Sequence, residues 1–89
     1  MASLAGELSF ATAQAALAQG RAALAGGEGP VALDLGGVTR TDSAGLALLL
    51  ELARDARAHK RELALENAPA QLRKLAGFFG VAEILALPA

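Results

Sequence analysis

Apolar residues alternate at Val31, Leu33 and Leu35 and return at Val38, with Pro30 before the stretch and Gly36-Gly37 within it. A period of two marks a buried strand, and the proline and the glycine pair bound it. Thr41, Asp42 and Ser43 follow, all residue types that cap helix starts. The apolar pattern then changes to a helical one, predicting a helix over 43–59. Turning 100° per residue from Leu46 gathers Leu46, Leu49, Leu50, Leu52, Ala53 and Ala56 into one arc, the core face. Ala44, Ala47, Leu48, Glu51 and Asp55 fall opposite. Leu48 is therefore the one large apolar residue that the core face does not explain.

The same reading extends to both sides. Residues 2–8 (ASLAGEL) form a short strand with Gly6 as a bulge or turn. Thr12 is placed to cap the next helix, with Phe10 before it as an apolar contact. Ala13, Ala16, Leu17, Gly20 and Leu24 repeat at helical spacing and make one face, small enough to sit close to a sheet. Residues 26–30 (GGEGP) are a turn between elements. Arg57, His59, Lys60 and Arg61 suit the negative end of the central helix's dipole. Residues 62–66 alternate as a half-buried strand with Leu63 and Leu65 inward, and Pro69 opens a further helix. Leu72, Leu75, Ala76 and Phe79 face the core there, and Gly80 stops the helix. Residues 81–87 close the chain as a short helix or strand. The order β-α-β-α-β-α predicts one α/β domain over 1–89 around a small, mostly parallel sheet with three to four helices.

Composition narrows the function classes. The chain has 89 residues, no cysteine, one histidine and a formal net charge of −1. Disulfides, thiolate catalysis and cysteine-ligated zinc are excluded, and no basic footprint points to nucleic acid or anionic lipid. The longest uncharged run, 8–20, is too short and polar for a bilayer, which takes roughly 20 apolar residues. No basic leader precedes it, so the expectation is a cytoplasmic protein without membrane insertion.

Enzymatic candidates are weak. His59 lies in a basic helix end and reads as a solvated residue. Ser43 lies outside any Gly-x-Ser-x-Gly elbow and has no recognisable base. The glycines match neither a dinucleotide fingerprint nor a phosphate loop. Asp34 and Asp42 lie apart as strand and cap, and Asp34 reads as an acceptor for backbone donors near the strand's end. Without Tyr or Trp there is no stacking platform for single-stranded nucleic acid. Isolated exposed leucines are ordinary. Even so, Leu48 beside Ala44 and Ala47, under the Ser43 hydroxyl, makes a candidate contact for a partner.

Three segments carry a resemblance: Leu4-Ala5-Gly6-Glu7-Leu8, Val31-Ala32-Leu33-Asp34-Leu35, and Thr41-Asp42-Ser43-Ala44-Gly45-Leu46. Together they resemble the STAS family, the domain of anti-sigma-factor antagonists and of the C-termini of anion transporters. Within it, Gly45-Leu46-Ala47-Leu48-Leu49-Leu50 is similar to the run in MlaB-type subunits. That resemblance implies a non-enzymatic accessory subunit without cofactor or metal. It would bind an MlaF-like ABC-type ATPase beside a permease, in a complex that maintains outer-membrane phospholipid asymmetry from the inner membrane. It also implies a docking surface made by Thr41, Asp42, Ser43, Ala44, Ala47 and Leu48, with Ser43 capping the helix. Three positions depart from the family pattern. Ser9 stands where many members have Asp, and the usual strand before residue 2 is shortened or missing. The serine that antagonists phosphorylate, immediately before the motif glycine, is here Ala44. The alternative reading, an anti-sigma-factor antagonist, would have to place its phosphate on Ser43. A third, a small nucleotide-binding enzyme, rests on topology alone.

Overall fold

The computed structural model describes residues 2–87. It contains β1 (Ala2–Leu8), α1 (Ala13–Ala25), β2 (Val31–Thr41), α2 (Ser43–Ala58), β3 (Leu63–Glu66) and α3 (Ala70–Phe78). The three strands form a parallel sheet in the order β1-β2-β3, with β2 in the middle. This is the α/β architecture and helix number that the hydrophobic periodicity predicts.

One expectation about β2 fails. Gly36-Gly37 do not end the strand, which continues to Thr41. Pairing with β1 slips twice, between Ser3 and Ala5 and between Gly6 and Glu7, and β2 takes up an extra residue each time. Each extra residue shifts the alternation by one. Leu35, Val38 and Thr41, spaced by three, can therefore all lie on the buried side. The bulge expected near Gly6 is present, and the glycine pair lies in the β2 segment opposite.

Both crossovers run the same way along the sheet, so α1 and α2 lie together on one face. Leu4, Leu8, Val31, Leu33, Leu35 and Val38 from the strands meet Leu24, Leu46, Leu49, Leu52, Leu72 and Ala76 from the helices there. The other face presents Ser3, Ala5, Glu7, Thr39 and Ala64 to solvent. Parallel sheets are ordinarily covered on both faces. Small and polar side chains make an open face tolerable here.

Leu48 must be corrected. It is 4 % exposed and belongs to the core. A helical wheel with one sheet-facing arc ignores α1, which packs along a second stripe of α2. That stripe contains Leu52 and Asp55, with the buried Leu48 one turn before Leu52. Gly20 of α1 rests against the Leu52 side chain, where an added Cβ would stand 2.5 Å from Cδ1. Arg21 extends the contact by pairing with Asp55 at 2.6 Å and Glu51 at 3.6 Å.

Three more expectations change. Thr12 occupies the start of α1 but does not cap it through its side chain. Its hydroxyl accepts from Ser9 N–H at 2.9 Å and donates to the Glu7 carbonyl at 2.7 Å, closing the preceding turn. Arg61 serves α1 rather than the end of α2. Its guanidinium donates to the carbonyls of Leu24, Gly26 and Gly29 at 2.6, 2.7 and 2.8 Å, satisfying the C-terminal acceptors that a helix leaves open. Residues 81–87 form hydrogen-bonded turns, with Leu85 N–H donating to the Val81 carbonyl and Leu87 N–H to that of Ala82. They still seal the core, because Leu85 and Leu87 are buried.

Candidate functional site

The candidate site is the start of α2. It sits at the carboxyl ends of the parallel strands, where open α/β sheets hold their ligands. Asp42, not Ser43, caps the helix: its Oδ1 accepts from Gly45 N–H at 2.9 Å. Its Oδ2 accepts from Phe10 N–H at 3.2 Å, tying the loop after β1 to the same turn. The Gly45 amide is the main reason the Asp42 carboxyl titrates below its ordinary value. Desolvation opposes this, while the Phe10 and Ala44 amides and the Arg40 charge add to it. Gly45 is required by contact, since any side chain there would drive its Cβ into the Leu8 carbonyl. The motif glycine thus lets α2 start directly against β1.

The predicted surface residues separate into three groups. Ser43, the first helical residue, and Ala47 are exposed; Asp42 and Ala44 are half-buried. Thr41 and Leu48 are buried and are not available to a partner. Thr41 instead closes β2 onto α3. Its N–H donates to Gln71 Oε1 at 2.9 Å, and Gln71 Nε2 donates to its carbonyl at 2.8 Å. The Gln71 amide extends the ladder where β3 has ended.

The apolar surface keeps Ser43 and Ala47 but turns away from Leu48, toward Leu46 and Leu50. Ser43, Leu46, Ala47 and Leu50 of α2 line a shallow hollow with Phe79 and Val81, about 300 Å³ in volume. Phe79 is 52 % exposed although it continues the phase of Leu72, Leu75 and Ala76. The reason is that α3 ends at Phe78, so Phe79 follows the chain into the turn at Gly80. Phe78 meets it edge to face, ring centroids 5.3 Å apart. Phe10, expected to pack against α1, is 88 % exposed beside the Asp42 clamp. The chain's three phenylalanines all face outward. A usable signal was the pair Phe78-Phe79 immediately before a helix-ending glycine, where helical phase no longer applies.

His59 and Asp34 are both engaged away from this loop. His59 lies beyond the far end of α2, its Nδ1 2.7 Å from the Asp55 carbonyl. Asp34 accepts from Gly36 N–H at 2.8 Å and Asn67 Nδ2 at 3.0 Å, the role expected for it. Among the described residues, no cluster of three or more potential metal ligands occurs and no helix is long and apolar enough to cross a membrane.

Comparison with known proteins bears on this arrangement. The family model described as "Mlab, STAS domain" matches residues 1–87. The chain belongs to the STAS domain family. No curated protein sequence matches this STAS domain. Among solved structures it is similar to a sulfate transporter family protein from Wolinella succinogenes, with a TM-score of 0.73 and 21% identity. The match covers 93% of this chain and 67% of that one. At that identity the likeness establishes the STAS fold and nothing finer.

Proposed function

We propose that this STAS domain is a non-enzymatic accessory subunit that docks on an ABC-type ATPase. The ATPase would belong to a phospholipid transporter maintaining outer-membrane lipid asymmetry. The domain would sit on the cytoplasmic side of the inner membrane, held there by its partner. The observation that carries the reading is the surface at the family's motif loop made by exposed Ser43, Ala47 and Phe79 with half-buried Leu50. Apolar hollows of this kind, with a polar group at the rim, suit a protein contact better than a reaction. The match to the family described as "Mlab, STAS domain" supports the choice of partner. Leu50 and Phe79 take the anchoring role that the sequence assigned to Leu48.

Co-purification with the co-expressed ATPase tests the surface. Ser43→Glu and Leu50→Asp should each remove the ATPase from the eluate while leaving the circular dichroism spectrum unchanged. Retention of the ATPase by both variants would overturn the reading.

The anti-sigma-factor antagonist reading has one observation in its favour, the exposure of Ser43 at a helix's positive end. Against it stands the Asp42 carboxylate, which already occupies that end and would repel a phosphate. No phosphate on Ser43 after incubation with a candidate kinase, read by mass spectrometry, would dismiss it.

A further inference from the structure

A second hollow lies farther along the same helix as the one at the start of α2. Ala53, Arg57, Lys60 and Leu63 line it with Ile84 and Ala86, at about 390 Å³. On α2 one stripe lines both hollows: Ser43, Ala47, Leu50, Ala53 and Arg57 follow at spacings of three and four, and Lys60 stands just beyond the helix end. The opposite wall is the segment after α3, with Phe79 and Val81 beside the first hollow and Ile84 and Ala86 beside the second. Phe79 and Ile84 are 52 % and 59 % exposed. The result is a groove, apolar at one end and basic at the other.

Its charges are unmatched. Among the described residues, Arg57 and Lys60 have no carboxylate within ion-pair distance, and Arg54 reaches only Glu51, at 3.9 Å. Glu62 also lines the second hollow, against the cations of Arg57, Lys60 and Arg61. The flank of α2 facing α1 has the same layout with its complement in place. There Leu48 and Leu52 are covered, and one turn on Asp55 and Glu51 meet Arg21. On the outer flank the leucine is half-covered and the charges are reversed in sign.

We infer that this groove seats an amphipathic helix of the partner protein. Its apolar residues would fill the first hollow, and carboxylates about ten residues away would face Arg57 and Lys60, roughly 15 Å along the axis. An antiparallel helix fits best, because its acidic residues then lie at its own N-terminus and near the C-terminus of α2. This deepens the docking reading by naming the element of the partner that is recognised.

The probe is an 18-residue helical peptide with glutamates in its first turns and leucines at helical spacing in its last, compared with a lysine-for-glutamate counterpart. Fluorescence anisotropy at physiological salt should give at least tenfold tighter binding of the acidic peptide to the whole chain. The double variant Arg57→Glu, Lys60→Glu should reverse that preference, and Leu50→Asp should remove binding of both peptides. Equal affinity for the two peptides, or binding of neither, overturns the inference. So does self-association lost on Leu50→Asp, or adsorption to phosphatidylglycerol vesicles lost in the double variant, since each assigns the groove to a different occupant. If Ser43→Glu abolishes ATPase co-purification while the peptides are not discriminated, the docking reading stands and this one falls.

Discussion

On the flank of α2 that faces α1, Leu48 and Leu52 are buried and Asp55 is paired with Arg21. On the outer flank, Leu50 is half-buried, Ala47 is exposed, and Arg57 has no acidic partner among the described residues. The composition of the two flanks is alike, leucines followed by charge; what differs is completion. The inner flank is a finished helix–helix contact. The outer flank carries the features of one without a helix lying along it among the described residues. The open face of the sheet makes a useful control, because it is equally uncovered but carries Ser3, Ala5, Thr39 and Ala64. Exposure alone therefore does not mark a recognition surface; exposure of large apolar groups beside unmatched charge does.

Truncating one leucine on each flank should break the comparison open most widely. Leu48→Ala should cost about 2–5 kcal/mol by leaving a cavity in the core. Leu50→Ala should cost under about 1 kcal/mol, the usual range for a site that is not fully buried. Urea denaturation of both variants checks this directly. Equal losses would mean that the two flanks are equally structural.

The inward placement of Leu48 was not legible in the sequence, for a physical reason. Periodicity along one helix finds the arc that meets the largest neighbour, here the sheet. Whether a second helix lies alongside depends on the direction of the crossovers, which no local pattern carries. A bulge near Gly6 is legible from the glycine, but the slip between Ser3 and Ala5, and the placing of both extra residues in β2, are not, since an extra residue is defined only against the strand it pairs with. Phe79 was misplaced by one residue of helix length. What was legible is what local chemistry decides: the six elements in order, the small face of α1, the acceptor role of Asp34, and the motif loop as the start of α2. Three cap-forming residues stand in a row there, and the expected cap, Ser43, gives way to Asp42, whose carboxylate reaches the Gly45 amide.

Arg61 holds the opposite end of the inner flank, where its guanidinium gathers the Leu24, Gly26 and Gly29 carbonyls. Hydrogen bonds to a charged group contribute about 1.5–3 kcal/mol in net terms. Because these acceptors lie near the surface and water can replace the donor, Arg61→Ala should fall at the low end of that range. Amide hydrogen exchange should quicken in the last turn of α1 and in 26–30, while amides at the start of α2 keep their protection. Loss of protection at both ends of α2 would show that the two poles are coupled.

The smallest effect should come from acid, acting where both flanks begin. Ionised Asp42 accepts from Gly45 and Phe10, and its carboxyl titrates below the ordinary value, with the Gly45 amide as the leading cause. A carboxyl whose folded-state value is depressed stabilises the fold fully above its unfolded value, roughly pH 4. That contribution fades as pH falls through the lower folded value. Asp34, lowered by the Gly36 amide and then by Asn67, adds a second loss in the same window. Stability should therefore be flat from about pH 7 to 5 and decline below about pH 4. Asp42→Asn keeps a capping oxygen but removes the titrating charge, so its stability profile should decline less steeply than that of the parent. Superimposable slopes for parent and variant would assign the acid response to other carboxyls. If the slopes differ, recording amide exchange at Gly45 and Phe10 through the same range would separate the site from the core. Those two amides should lose protection at a pH where Leu48 and Leu52 retain theirs, because protonation releases the first turn of α2 before it disturbs the contact with α1.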